Sequence, residues 1–199
     1  MIEELILASA SPARARLLAA AGVQARVEPA EIDEIAVKRA FRAEGRLAVD
    51  CALALAEAKA GRIARNKHRT LVIGADQILV CADQWLDKPA DLAAARAQLK
   101  TLRGCMHELV TAVCVVQQET RLWHIVSRAR LTMRNFSDGF LDEYLAVEGT
   151  AILGSVGAYR LEGKGVQLFD RVEGDHFAIL GMPLLELLAF LRNYGALQS

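Results

Sequence analysis

The chain has 199 residues, 53% of them hydrophobic, and its 24 Lys+Arg are balanced by 24 Asp+Glu. A formal net charge of zero leaves no excess of cations to hold a long phosphate backbone, which argues against a dedicated nucleic-acid binder. An anionic partner is expected to be small and to be met by a local cluster of cations. The cysteines Cys51, Cys81, Cys105 and Cys114 have no C-x-x-C spacing, which argues against structural zinc or a disulfide framework and for reduced thiols. The opening Met1-Ile2-Glu3-Glu4 lacks the basic start of a signal peptide, and no apolar run reaches the roughly 18 residues of a membrane span. The expectation is a soluble, cytoplasmic protein without a membrane partner, a single domain over 1–199 in two lobes.

In chain order, Leu5–Ala8 reads as a short buried strand. Ser11 is a good N-cap and Pro12 suits the first helical position, so a helix is predicted over about Pro12–Ala21, stopped by Gly22. An extended piece follows at Gln24–Pro29, and Glu31–Glu34 ("EIDE") is expected in a loop. A long helix is predicted over about Leu47–Asn66. "TLVIGADQILV" (Thr70–Val80) is a nearly continuous apolar strand of the fully buried type. "LDKP" leads to a helix from about Asp91 to Leu102, with Leu92, Leu99 and Leu102 on one face and Gly104 at its end. His107–Val116 and Leu122–Met133 are predicted strands of a hairpin joined by "QQETR". Ser137 should cap a helix with Phe140, Leu141, Tyr144 and Leu145 on one face, closed by Gly149. The glycine-rich stretch that follows reads as loops and short strands lining a cleft, and Pro183 opens a last helix. The alternation predicts an α/β fold with a mixed sheet.

Five features could carry chemistry. The turn Ser9–Arg16 combines a helix start, two hydroxyls (Ser9, Ser11) and the Arg14 guanidinium, a set suited to phosphate; an ordinary cap with solvated arginines is the alternative. Cations sit slightly unfavourably at a helix N-terminus, so something negative is expected there. Asp76 lies within an apolar strand, where a carboxylate is costly unless a cation or strong hydrogen bonds compensate it. Gly74, two residues earlier, permits close backbone approach. Such an acid could hold a metal, act as a base, or be a partly exposed strand-end acid; Gln77 stands beside it. Asp33 and Glu34 could ligate a hard cation such as Mg²⁺, or be solvated. Lys59 and Lys88 acquire meaning only from their neighbours, and Glu162 in "RLEGKG" is either in a tight pocket or a turn acid. The four histidines show no metal-ligand spacing and no Ser-His-Asp arrangement. Together these residues suit an active site that splits the phosphate chain of a nucleotide.

The blocks "LILASASPARARLLAAAGV", "EIDE", "LALAEAKA", "VIGADQILV", "LDKP", "GAYRLEGKG" and "GMPL", in this order, resemble the Maf family of nucleoside triphosphate pyrophosphatases over essentially the whole chain. The resemblance implies an elongated α/β fold, with helices flanking a mixed sheet and a cleft between two lobes, of the Maf/ITPase-like kind and often seen as a homodimer. It implies hydrolysis of the α–β bond of a nucleoside triphosphate with a divalent cation, Mg²⁺ or Mn²⁺. By the same resemblance Asp76 is the general base, and Asp76 with Glu34 lies at the metal end. Ser9, Arg14, Lys59 and Lys88 match phosphate-binding positions.

Departures from the family pattern bear on the base. Pyrimidine-type members read "SPRR", "GADT" and "AGAYGIQG", where this chain has Ala13, Gln77 and Glu162. "LFDRVEG" resembles a block of members acting on 7-methyl-GTP, which likewise carry Gln and Glu at the last two positions. A carboxylate can accept hydrogen bonds from guanine N1–H and N2–H₂ and favours a positively charged N7-methylated base, whereas pyrimidine O2 and O4 would meet it as acceptors. Alternatives are a dTTP/UTP-type pyrophosphatase and a nucleotide-binding regulator of cell division with little catalysis. Ser155, where the pyrimidine group commonly has lysine, and Ala13 favour the regulator.

Overall fold

The computed structural model describes residues 3–198; Met1, Ile2 and Ser199, which belong to the expected domain and, for the first two, to the N-terminal stretch without a basic start, lie outside the described residues. The chain forms two compact units. The first comprises the chain up to Asp76, Thr111–Ser127 and the chain from His176 onward; the second comprises Gln77–Val110 and Arg128–Asp175. The strands form one seven-stranded sheet that contains parallel and antiparallel pairs, with helices alongside it, the predicted fold class. No helix among the described residues is long and apolar enough to cross a membrane.

In the first unit, strand β1 (Glu4–Leu7) lies between two parallel neighbours, β2 (Arg26–Val27) and β3 (Thr70–Cys81). Leu7 pairs with Val27 on one side and Ile73 on the other. Helix α1 (Pro12–Ala20) connects β1 to β2, with Ser11 as its N-cap as its sequence predicts. Helices α2 (Glu34–Ala43) and α3 (Ala48–Ala64) precede β3. Leu7, Leu18, Ile73, Val113, Leu187 and Leu191 form much of the buried core, the last two from the closing helix α7 (Leu184–Asn193). Gly74 sets how closely β3 and α3 approach: a Cβ there would stand 2.0 Å from the Ala56 carbonyl oxygen and 2.9 Å from the Ala60 Cβ. Alanines at α3's facing positions and a bare Cα on the strand together permit this backbone contact.

In the second unit the far end of β3 pairs antiparallel with β4 (Gln84–Leu86), Val80 opposite Trp85. Helix α4 (Leu92–Leu102) is capped by Asp91, whose carboxylate accepts the Ala94 N–H. Strands β5 (Met106–Gln117) and β6 (Thr120–Met133) run through both units, and β6 pairs antiparallel with β7 (Phe169–Glu173). Helix α5 (Asp138–Glu148) is capped by Ser137. Short 3₁₀ turns occupy Gly149–Gly154, Val156–Ala158 and Lys164–Leu168, and α6 (His176–Ile179) precedes α7 in the first unit.

Three expectations are corrected. Glu31–Glu34 is not wholly loop: Asp33 is the N-cap of α2, its carboxylate accepting the Ala36 N–H at 2.9 Å, and Glu34 is the first helical residue. Leu92 does not share the buried face of Leu99 and Leu102, because it opens the helix and is 39% exposed while they are fully buried. The β5–β6 hairpin turn is shorter than "QQETR", since both strands continue to Gln117 and from Thr120.

Candidate active site

Strand alternation places Gly74 and Asp76 on the same face of β3. Helix periodicity places Ala56, Lys59 and Ala60 on the face of α3 that meets them. The close approach at Gly74 therefore delivers the Lys59 ammonium to the Asp76 carboxylate, Nζ to Oδ1 2.5 Å. The same ammonium reaches Glu34 Oε1 at 2.8 Å from the first turn of α2. Lys59 and Asp76 are 7% and 4% exposed, so this is a buried charge pair with a half-buried second carboxylate. The sequence-level demand that Asp76 be compensated is met by Lys59.

Asp76 Oδ2 is buried and has no hydrogen-bond partner among the described residues. Buried carboxylate oxygens are normally hydrogen-bonded, so this orphan acceptor is a feature that calls for an occupant. With Glu34 it forms a pair of hard oxygen donors. Among the described residues no three His, Cys, Asp or Glu gather as a metal cage. Asp76 and Glu34 are the residues that could hold a cation such as Mg²⁺, which commonly takes one or two carboxylates and draws its remaining ligands from phosphate oxygens and water.

Arg14 resolves the oddity of a cation in a helix's first turn. Its side chain is buried and ties three segments together: Nε donates to the Gly181 carbonyl at 2.8 Å, and Nη1 donates to Ser9 Oγ and to the Ala75 carbonyl, each at 3.0 Å. Burial pushes its pKa down from the ordinary value, opposed by the negative charges of Asp76 and Glu34. Those two charges, not solvent, offset the repulsion from the helix end. Ser9 Oγ accepts from Arg14 and from the Ser11 N–H (3.2 Å), which leaves its own O–H proton as a donor. Ser11 caps α1 by accepting the Arg14 N–H at 3.5 Å.

Ser9, Arg14, Glu34, Lys59 and Asp76 are thus brought together in the first unit, with Ala13 half-buried one residue before Arg14. Gln77, Lys88 and Glu162 belong to the second unit. Gln77 follows Asp76 on β3 and projects to the opposite face of the strand. Lys88 is exposed in the connection between β4 and α4. Glu162 lies before a 3₁₀ turn, where Arg160 Nε approaches its Oε1 at 3.4 Å.

Sequence reasoning missed Glu148. Its side chain is 6% exposed, accepts the Lys164 N–H at 2.9 Å on Oε1, and holds Arg160 Nη1 at 3.2 Å on Oε2. A Cβ at Gly163 would stand 2.7 Å from Glu148 Oε1, and one at Gly165 would stand 2.4 Å from the Arg160 carbonyl. The two glycines that follow Glu162 therefore make room for Glu148 and for the Arg160 backbone. That glycine pair was the available signal.

Fold and site together define an α/β protein with a buried lysine–carboxylate centre beside an arginine-stapled strand–helix turn. The sequence matches the Maf-like protein family over residues 4–194, and the chain belongs to that family. It is 56% identical over 194 residues to the "Nucleoside triphosphate pyrophosphatase" of Granulibacter bethesdensis, covering 98% of each chain. It is 53% identical over 192 residues to the protein of the same name from Paramagnetospirillum magneticum, covering 96% of this chain and 99% of that one. To the "7-methyl-GTP pyrophosphatase" of Rhizobium meliloti it is 48% identical over 195 residues, covering 98% of each.

Proposed function

We propose that this protein hydrolyses nucleoside triphosphates at the α–β phosphoric anhydride, releasing a nucleoside monophosphate and pyrophosphate. The observation that carries this reading is the buried Asp76 carboxylate, one oxygen held by Lys59 and the other without a hydrogen-bond partner among the described residues. A buried ion pair contributes little net stability beyond what an apolar pair of similar volume would give. Packing therefore does not account for an acid at this point of an apolar strand, whereas chemistry does. The names and high identity of the relatives support the same reading.

In the proposed reaction Asp76 Oδ2 orients a water and accepts its proton as the water oxygen bonds to the α-phosphorus. The bond from that phosphorus to the oxygen bridging to the β-phosphate breaks, and pyrophosphate leaves with the bridging oxygen. Lys59 fixes the other Asp76 oxygen, so the carboxylate keeps one orientation. Arg14, Lys59 and Lys88 supply positive charge, and Ser9 and the start of α1 supply N–H and O–H donors, to the phosphate chain. Asp76 and Glu34 would hold the divalent cation, Mg²⁺ or Mn²⁺, which when bound neutralises phosphate charge. For the base, Glu162 as acceptor, with Gln77 beside Asp76, favours 7-methyl-GTP; the name of the Rhizobium meliloti relative supports this choice. Asp76→Ala should lower turnover by roughly 10²–10⁴ in a pyrophosphate-release assay with Mg²⁺, the usual contribution of a positioned acid–base group. Near-wild-type turnover of that variant would remove Asp76 from the role.

A further inference from the structure

The segment carrying Glu162 is held from several sides within the second unit. Tyr144 Oη on α5 donates to the Ala158 carbonyl at 3.1 Å, and the His107 ring on β5 shares a 2.9 Å hydrogen bond with Tyr159 Oη. Glu148, at the end of α5, does more than add a contact: its two oxygens hold the Lys164 N–H and the Arg160 guanidinium, on either side of Glu162 in sequence. The guanidinium then spans two carboxylates, Nη1 on Glu148 and Nε toward Glu162. The Glu148 side chain is 6% exposed, whereas those of Arg160 and Glu162 are 31% and 32% exposed, so the fixed end of the chain is Glu148 and the accessible end is Glu162. The three side chains together carry one net negative charge.

We propose that Glu148 and Arg160 are positioning residues for base selection: they fix the Glu162 carboxylate and make that surface favour a nucleoside triphosphate whose purine is cationic through N-alkylation. This rests on the reading of Glu162 as the base acceptor. A charge-assisted bond is directional and short-ranged, so displacing the carboxylate weakens its hold on the base far more than it weakens phosphate chemistry elsewhere.

The test compares kcat/KM for 7-methyl-GTP and for GTP in the wild-type protein and in Glu162→Gln, Glu148→Gln, Arg160→Lys and the Glu148→Gln/Glu162→Gln double variant. Glu148→Gln should lower the 7-methyl-GTP to GTP ratio by roughly tenfold, through KM for 7-methyl-GTP, the scale of one charge-assisted hydrogen bond. The GTP kcat should stay within about twofold, and the double variant should show no lower ratio than Glu162→Gln alone, as expected for residues acting through one group. Arg160→Lys, which keeps the charge but not the fork, should fall in between. If Glu162→Gln lowers the ratio and Glu148→Gln and Arg160→Lys do not, the positioning role is wrong and the base reading stands. If Glu162→Gln leaves the ratio intact, the base reading falls and the positioning role with it. Equal loss of kcat/KM on both nucleotides in Glu148→Gln would make Glu148 a purely structural residue and overturn the proposal. Arg160→Gln, at a partly exposed side chain, decides the matter should Glu148→Gln fail to fold.

Discussion

Gly74→Ala tests how the site is assembled without touching any charged group. The added methyl would lie 2.0 Å from the Ala56 carbonyl oxygen and 2.9 Å from the Ala60 Cβ. The first of these is roughly 1.5 Å short of the ~3.5 Å at which non-bonded heavy atoms rest. The obstacle is helix backbone, which cannot rotate aside like a side chain, so β3 and α3 must separate. Overpacking of this kind costs about 1–3 kcal/mol. The functional cost is larger, because α3 carries Lys59 away from Asp76, and a displacement of about 1 Å at a catalytic group can lower turnover on the order of 10²-fold. Urea unfolding and pyrophosphate release, measured on the same preparation, should show a folded, moderately destabilised protein with turnover lowered far more than its stability would explain. Full turnover of Gly74→Ala would refute the claim that strand–helix contact at this glycine places the lysine.

Arg14→Lys keeps the charge but cannot span the Gly181 carbonyl, Ser9 and the Ala75 carbonyl, so it should lower stability by on the order of 3 kcal/mol, read as a lowered urea midpoint; an unchanged midpoint would show that the staple is not stabilising. His107 is 1% exposed, and burial lowers its pKa from 6.5 to about 4. Between these values the unfolded chain binds one more proton than the folded one, so its contribution is fully present above pH 6.5 and is lost as the pH falls toward about 4, on the order of 3 kcal/mol in all. Unfolding free energies of wild type and His107→Gln across that window should converge as the pH falls, and parallel curves would contradict the buried neutral state.

The first helix could be read directly because its signals are local: a capping serine, a proline at the first position and a glycine at the stop. The long apolar run around Asp76 was equally plain, and an acid inside it demanded compensation. Which cation supplies that compensation was not legible, since Lys59 lies on another element and its meaning depends on how closely α3 meets β3. Helix α2 does not announce itself, because Asp33 and Glu34 read as readily as a loop pair; an aspartate followed by an acidic first turn is also an N-terminus signature, and the structure uses Asp33 in that way. Strand β4 has only three residues, too few for an alternation to stand out. Glu148 looked like any acid at a helix end, because its burial depends on the glycines at 163 and 165 admitting a carboxylate and a folded-back chain.

The central claim is that Asp76 directs water to the α-phosphorus. Hydrolysis of 7-methyl-GTP, GTP and UTP in heavy-oxygen water, with the products resolved by mass spectrometry, tests it most directly. The account predicts a nucleoside monophosphate and pyrophosphate in equal amounts, the heavy atom in the monophosphate, and loss of both products in Asp76→Ala. Label in the pyrophosphate, or release of a nucleoside diphosphate and inorganic phosphate, would contradict it.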